Sequence, residues 1–400
     1  MFVHYQKEKQ RMPIKIWLND VADIEPGCLD QAINLSNLPF VHKWVALMPD
    51  THQGYGMPIG GVIATENVII PNAVGVDIGC GMAFVETNIH KTKLSKDDMT
   101  NLVGMIMRNI PTGFNRHKTP QPCSTLDTNC FADDMRGHQI EGLPKINEGY
   151  YQIGTLGGGN HFIELQEDEK GMLCVMLHSG SRNFGLKVCK YYNEQAKILN
   201  KRWFTSIDEK ADLAFLPLDE RIGRDYKNWM NLALLFAQEN RQVMLCKVMR
   251  ELERKVPSIE FSIEINAHHN YADIENHYGK NVWVHRKGAI RVRKDELGII
   301  PGAMGSYSYI VKGLGNPESF YSCSHGAGRR MSRKKAMESF SVQQTIEDLK
   351  EQGIVFGKEN KNDCNDECRW AYKDIDEVIG NGLDLVVPIK RLKTLAVIKG

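Results

Sequence analysis

The spacing of apolar and polar positions changes period several times along the chain. Between residues 57 and 90 the runs MPIGGVIAT, ENVII and VGVDIGCGMAFVET are short, apolar and broken by Gly, Pro and Asn, which predicts strands. From Ser95 to Ile110 the period lengthens. Ser95 and Asp98 make an S-x-x-D helix start, and Leu102, Ile106 and Met107 follow at helical spacing. Residues 112–148 are polar and irregular and read as a surface excursion. Strands are expected around Gly159–Leu165 and Met172–Leu177. The longest helical signal runs from about Leu218 to Lys255, with Tyr226, Trp229, Leu232 and Phe236 three and four residues apart. β-like segments follow at Ile259–Ile265 and Val282–Val292, a helix is predicted from near Ser332 to about Lys350, and the chain closes on the apolar LKTLAVIKG.

Strands and helices therefore mix without regular βα alternation. The expected class is α+β, a mixed, β-rich core flanked by helices. No linker, low-complexity tract or internal repeat divides residues 1–400, so a single domain is expected. A formal charge of +1 excludes a generally cationic nucleic-acid binder and leaves polyanion binding to local patches. The N-terminal MFVHYQKEKQRMPIKIW lacks the apolar core of a signal peptide, and no apolar run approaches the ~18–20 residues needed to span a bilayer. Ten cysteines without scaffold-like spacing point to a reducing, cytoplasmic compartment.

Candidate chemistry sits in glycine-rich polar knots near the expected strand ends. GVDIGCGM places Asp77 and Cys80 three apart among glycines, a carboxylate and a thiolate where a metal or phosphate can approach backbone. GTLGGGNHFIE carries three consecutive glycines, then His161 and Glu164. LHSGSR supplies His178 and a guanidinium, Arg182, suited to bidentate phosphate binding. In NAHHNY, adjacent histidines on a strand face opposite ways, so at most one joins a given site.

Asp77, Cys80, His161, His178 and His269 favour a borderline transition metal over calcium. Five donors exceed one four-coordinate site and leave room for two metals sharing a ligand. Residue chemistry alone names zinc first. Paired metals also suit phosphoryl chemistry. Cys364 and Cys368 in DCNDEC lack nearby partners in sequence and read as surface or core residues. In YSCSHGAGRRMSRKK, His325 lies against a Gly-Ala-Gly turn followed by clustered cations.

These segments, together with MPDTHQGYGMPIGG, VHRKGAI, IIPGAMGSYSYIVKGLGN, AYKDIDEV and the terminal VIKG, resemble the RtcB family of RNA-splicing ligases, most like its bacterial members. The resemblance implies a ligase dependent on GTP and two manganese ions. Such a ligase joins RNA 3′-phosphate or 2′,3′-cyclic phosphate ends to 5′-hydroxyl ends in RNA repair or tRNA splicing. Manganese then replaces zinc as the expected metal.

The family's shared thiolate falls on Cys80, with His161 and His178 completing one metal site and Asp77 and His269 the other. Nucleotide-binding positions fall on Asn160, His161, Phe162, Ile163, Glu164, Asn270, Pro301, Gly302, Ala303, Met304, Ser308, His325, Gly326, Ala327, Gly328, Tyr372 and Lys399. Glu164 would read the guanine edge. Arg182 and Arg329 fall where the family offers guanidinium groups to RNA phosphate. Ala303 departs from the Ser or Asp of many relatives.

By the same resemblance, a metal-activated water opens a cyclic phosphate and His325 attacks the α-phosphate of GTP. The histidine–GMP adduct then passes GMP to the RNA 3′-phosphate, and the 5′-hydroxyl displaces it. Gly326 and Gly328 are expected to clear space for the phosphate, and Arg333 to Lys335 to begin a helix as ordinary surface. The implied partners are such RNA ends and GTP, with an activating protein partner compatible with the resemblance and no membrane. A two-metal phosphoesterase or nuclease, and a non-catalytic RNA-binding repair adaptor, are the alternatives.

Overall fold

The computed structural model describes residues 1–138, 140–360 and 364–400. Two sheets and a long helix carry the architecture. One sheet orders Phe2–His4, Ile14–Ile16, Val41–His52, Ile59–Thr65, Lys280–Lys287 and Asn270–His277. The larger sheet runs Phe261–His268, Gly81–His90, Met172–Ser179, Phe162–Glu167, Val386–Lys399, Ser308–Gly313 and Leu297–Ile300, with Val355–Gly357 pairing on Val386–Lys399. Most neighbours are antiparallel, as the absence of βα alternation implies. The class is α+β.

Behind the larger sheet lies the helix Arg221–Lys255, 35 residues long and about 52 Å by its rise. Its first half packs Tyr226, Trp229, Met230 and Phe236 against one apolar cluster, and its second half Met244, Leu245, Val248 and Leu252 against another. One helix thus ties together the two halves of the core. Lys96–Asn109 is the helix expected from Ser95, whose hydroxyl accepts from Asp98 N while the Asp98 carboxylate accepts from Ser95 N.

Three expectations are corrected. Residues 124–128, 130–136 and 146–152 form short helices that bury Leu126, Ala132 and Ile146 in the cluster of the long helix, so the 112–148 region is mostly exposed, as expected, but partly helical rather than irregular. Sparse apolar residues at irregular spacing hid the helices. The helix expected from Ser332 to Lys350 is two, Arg333–Ser339 and Val342–Glu351, because Ser341 turns extended and caps the second by accepting from Gln344 N. Within GVDIGCGM the strand begins only at Gly81, and residues 75–80 are a turn. The helices Pro26–Ser36 and Phe184–Arg202 went unanticipated.

Strand register sets up the site. His268 pairs with Gly81, and Gly81 with Ser179. One step along, Met82 pairs with His178, His178 with Phe162, and Phe162 with Lys399. Five neighbouring strands therefore end together, and each brings a polar residue to the same edge. His269 stands where the chain leaves the larger sheet and enters the smaller one.

Candidate active site

The Cys80 thiol is buried at that edge, with His178 Nε2 at 3.2 Å and His161 Nε2 at 3.5 Å. His161 Nδ1 donates to Leu156 O at 2.9 Å, and His178 Nδ1 to Asn160 O at 3.2 Å. Those carbonyls hold the protons on Nδ1 and turn the Nε2 lone pairs toward sulfur. The His269 Nε2 lies 3.4 Å from His178 Nε2, and Asp77 Oδ2 is 3.4 Å from His161 Nε2. Imidazole lone pairs converging on one thiol and one carboxylate repel unless a cation lies between them. The donor set therefore fits a divalent metal. Among the described residues, Cys80, His161 and His178 are the one group of three or more such donors whose ligand atoms lie within 4.8 Å of one another. Burial drives the Cys80 thiol well above its ordinary range and His178 and His269 well below theirs, so the imidazoles are neutral and able to ligate.

His268, the neighbour of His269, turns the other way, toward Arg241. Cys364 and Cys368 are buried, with Cys368 packed against Ala336 and Ala371.

His325 follows the strand Ser322–Ser324 and stands beside this donor cluster, its ring centroid 4.8 Å from that of His269. Its partner is a residue the sequence reading left unassigned. Asp50, fully buried in the MPDTHQGYG segment, accepts from His325 Nδ1 at 2.6 Å and from His325 N at 3.1 Å on the same oxygen, Oδ2. Burial opposes ionisation of Asp50, but hydrogen bonding and charge from His325 outweigh it and hold the carboxyl below its ordinary range. A carboxylate only accepts, so Nδ1 keeps its proton and the neutral form of His325 has its lone pair on Nε2. Gly328, at φ 72°, gives its side-chain space to Asp50, since a Cβ there would lie 2.2 Å from Asp50 O. Its missing side chain makes room for the Asp50 backbone, and Gly328 also lines the first of the cavities beside His325.

His325 joins two cavities. The first is a cavity of about 230 Å³ that opens to solvent. Its walls are Asn160, Phe162, Glu164, Pro301 to Met304, His325 to Arg329, Tyr372 and Lys399. At its end Glu164 Oε2 accepts from Gln166 Nε2 at 2.6 Å and from Thr394 Oγ1 at 3.0 Å. Burial pushes Glu164 up to about 7 against these bonds and the nearby Lys399 charge. The second cavity is walled by Asp77, Cys80, Asn270, Lys287 and His325, with the exposed Tyr55 also lining it.

Some expected nucleotide positions lie off the first wall. Ile163 points into the apolar core beneath the sheet, as strand alternation between Phe162 and Glu164 requires. Ser308 is buried, and its hydroxyl accepts from Gly302 N and Gln166 Nε2. Asn270 lines the second cavity, joining Asp77 O to Gly288 N.

The arginines are tied down. Arg182 donates from Nε to Thr155 Oγ1 and from Nη2 to Gly113 O, each at 2.8 Å. Burial lowers it to about 10, against the attraction of Asp77, and it stays charged. Gly157, at φ 95°, is required beside it, because a Cβ would lie 2.1 Å from Arg182 Nη1. Arg329 donates to Met331 O, Glu367 Oε1, Tyr372 OH and Asp366 O.

Sequence reasoning also missed Glu367, a buried carboxylate that gathers Tyr372 OH at 2.5 Å, Arg329 at 3.2 Å, Arg333 at 3.3 Å and Lys399 at 3.6 Å. Arg333, expected on the surface, lines both cavities. Lys287, inside the quoted VHRKGAI, is buried and lowered to about 8 by desolvation, donating to Tyr55 O and Asn72 O.

Fold and site together define a thiol–imidazole cluster whose donors fit a metal, beside an aspartate-held histidine that opens onto a polar cleft. A family model described as tRNA-splicing ligase RtcB matches residues 31–400. RNA-splicing ligase RtcB of Escherichia coli strain K12 is 37% identical over 414 positions, covering 98% of each chain. The tRNA-splicing ligases RtcB of Pyrobaculum aerophilum and Nanoarchaeum equitans are 30% and 32% identical, each covering 98% of this chain and 96% of the relative. The chain belongs to the RtcB family.

Proposed function

We propose that this chain is an RNA ligase that uses GTP and two manganese ions to join RNA 3′-phosphate or 2′,3′-cyclic phosphate ends to 5′-hydroxyl ends. Its family membership supports the ligase reading. The observation that supports the finer mechanism is the Asp50–His325 pair at the junction of the two cavities, one walled by Glu164, Tyr372 and Lys399 and the other by Asp77, Cys80 and His269.

Manganese held by Cys80, His161 and His178, with a second ion on Asp77, Cys80 and His269, would neutralise phosphate oxygens and activate the water that opens a cyclic end. The rest falls to this chain's own residues. Glu164, as carboxylate, accepts the two edge N–H groups of guanine, and Lys399 offsets its charge. Asp50 keeps the His325 proton on Nδ1 and aims the Nε2 lone pair at the α-phosphorus of GTP. An N–P bond forms, the P–O bond to pyrophosphate breaks, and pyrophosphate leaves. The RNA 3′-phosphate then attacks that phosphorus, releasing Nε2 and forming an activated RNA–GMP anhydride. Attack by the 5′-hydroxyl oxygen forms the phosphodiester, GMP departs, and the hydroxyl proton passes to solvent.

Incubation with manganese and α-labelled GTP is expected to give an acid-labile, alkali-stable protein–GMP adduct that His325→Ala abolishes. No adduct from the wild-type chain, or an adduct persisting in His325→Ala, overturns the mechanism. A phosphoesterase or an RNA-binding adaptor would form none.

A further inference from the structure

The long helix Arg221–Lys255 buries two adjacent polar residues, Asn240 and Arg241, both fully inaccessible to solvent. A buried guanidinium must find acceptors for its fixed fork of N–H groups. Here they come from every direction. Arg241 Nη1 donates to Gly79 O at 2.8 Å and Ser179 O at 3.0 Å, Nε donates to Asn266 Oδ1 at 2.8 Å, and Nη2 meets His268 Nδ1 at 3.1 Å.

Three of the four partners adjoin a candidate metal donor. Gly79 lies between Asp77 and Cys80, Ser179 follows His178, and His268 precedes His269. Asn240 covers the remaining segment. Its Oδ1 accepts from Gly154 N at 2.7 Å and Thr155 N at 3.2 Å, and its Nδ2 donates to Thr155 O, Ser179 Oγ and Gly180 O. The next carbonyl, Leu156 O, is the one that accepts from His161 Nδ1. Adjacent helical positions point about 100° apart, which lets the pair reach segments on different sides of the sheet edge.

We propose that Asn240 and Arg241 are positioning residues for the metal centre, holding the four donor-bearing segments at the spacing that two ions sharing Cys80 require. The proposal rests on the metal reading above. Neither residue touches the ions. They act through the backbone on either side of the ligands, as partners outside a coordination shell do. Lysine cannot replace the fork, because three donors on one atom cannot reach Gly79 O, Ser179 O and Asn266 together.

Manganese titration of the full chain, read by the electron paramagnetic resonance signal of free Mn²⁺, tests this alongside thermal unfolding in chelator. Arg241→Lys is expected to weaken manganese binding roughly ten- to a hundredfold, the range seen when such outer partners are lost. Asn240→Ser, which keeps the guanidinium, is expected to weaken it in the same direction. Met244→Ala, one turn along in the apolar core, is expected to lower the unfolding temperature while leaving manganese affinity within threefold of wild type. Wild-type manganese affinity in Arg241→Lys, or in Asn240→Ser should the former fail to fold, overturns the proposal. Equal weakening in Met244→Ala also overturns it, by making the effect one of stability. A wild-type chain that binds no manganese overturns the metal reading itself, and this proposal with it.

Discussion

Replacing Asp50 by alanine should slow the guanylylation of His325 about ten- to 150-fold. Asp50 Oδ2 takes both the Nδ1 proton, at 2.6 Å, and the backbone N–H of His325, at 3.1 Å. A hydrogen bond to a charged group contributes roughly 1.5–3 kcal/mol. Each 1.36 kcal/mol is tenfold in rate, which gives the range if the whole contribution is lost in the transition state. Asparagine is a gentler change, because it can keep an oxygen at the Oδ2 position and place its amide where Oδ1 finds no partner now. Charge-assisted bonds are about twice as strong as neutral ones, so about half the contribution is lost and the slowing is roughly three- to twelvefold. Single-turnover formation of the labelled GMP adduct at saturating manganese and GTP gives the rate constant directly. Asp50 lies beneath His325 and off the nucleotide cavity wall, so GTP affinity should hold while the rate falls. An alanine variant within twofold of wild type, or an asparagine variant slower than alanine, would refute the orientation argument.

Glu164, pushed up to about 7 by burial, must be ionised to accept two guanine protons, so kcat/KM for GTP should fall about tenfold per pH unit below 7. In Glu164→Gln that step near pH 7 should vanish together with the preference for GTP over ATP, and a persistent step would assign it to another group. If Cys80 is shared as proposed, Cys80→Ser should lower occupancy of both manganese sites. Metal analysis finding one site intact would rule out sharing. Glu367→Ala strips the buried Lys399 of its counter-charge, along with the half-buried Arg329 and the exposed Arg333, and should destabilise the fold by about 3–5 kcal/mol, the usual cost of breaking a buried pair such as Glu367–Lys399. Urea unfolding with a loss under 1 kcal/mol would show that the cations find other partners.

How far the sequence carried can be judged from particular residues. The capping box at Ser95 and the long helix were visible because each is a local signal repeated at helical period. The short helices of residues 124–152 were not, since five to seven residues hold too few turns to show a period. The break at Ser341 turned on a single cap inside an otherwise helical pattern. In the candidate site, donor types were legible from the knots, whereas Asp50 was not, because an aspartate in a loop carries no sign of the imidazole it will meet.

Sequence by itself determined the α+β class and supplied the candidate donors: Cys80, the histidines, Asp77, Glu164 and His325. Tertiary structure decided their assignments. It joined Asp50 to a histidine 275 positions away, gathered Arg329, Arg333 and Lys399 around Glu367, and turned Ile163 into the core. The physical reason is that residue type and local period are written in neighbours along the chain. Charge pairing and cavity walls depend instead on strand register and sheet crossing, which only the folded chain possesses.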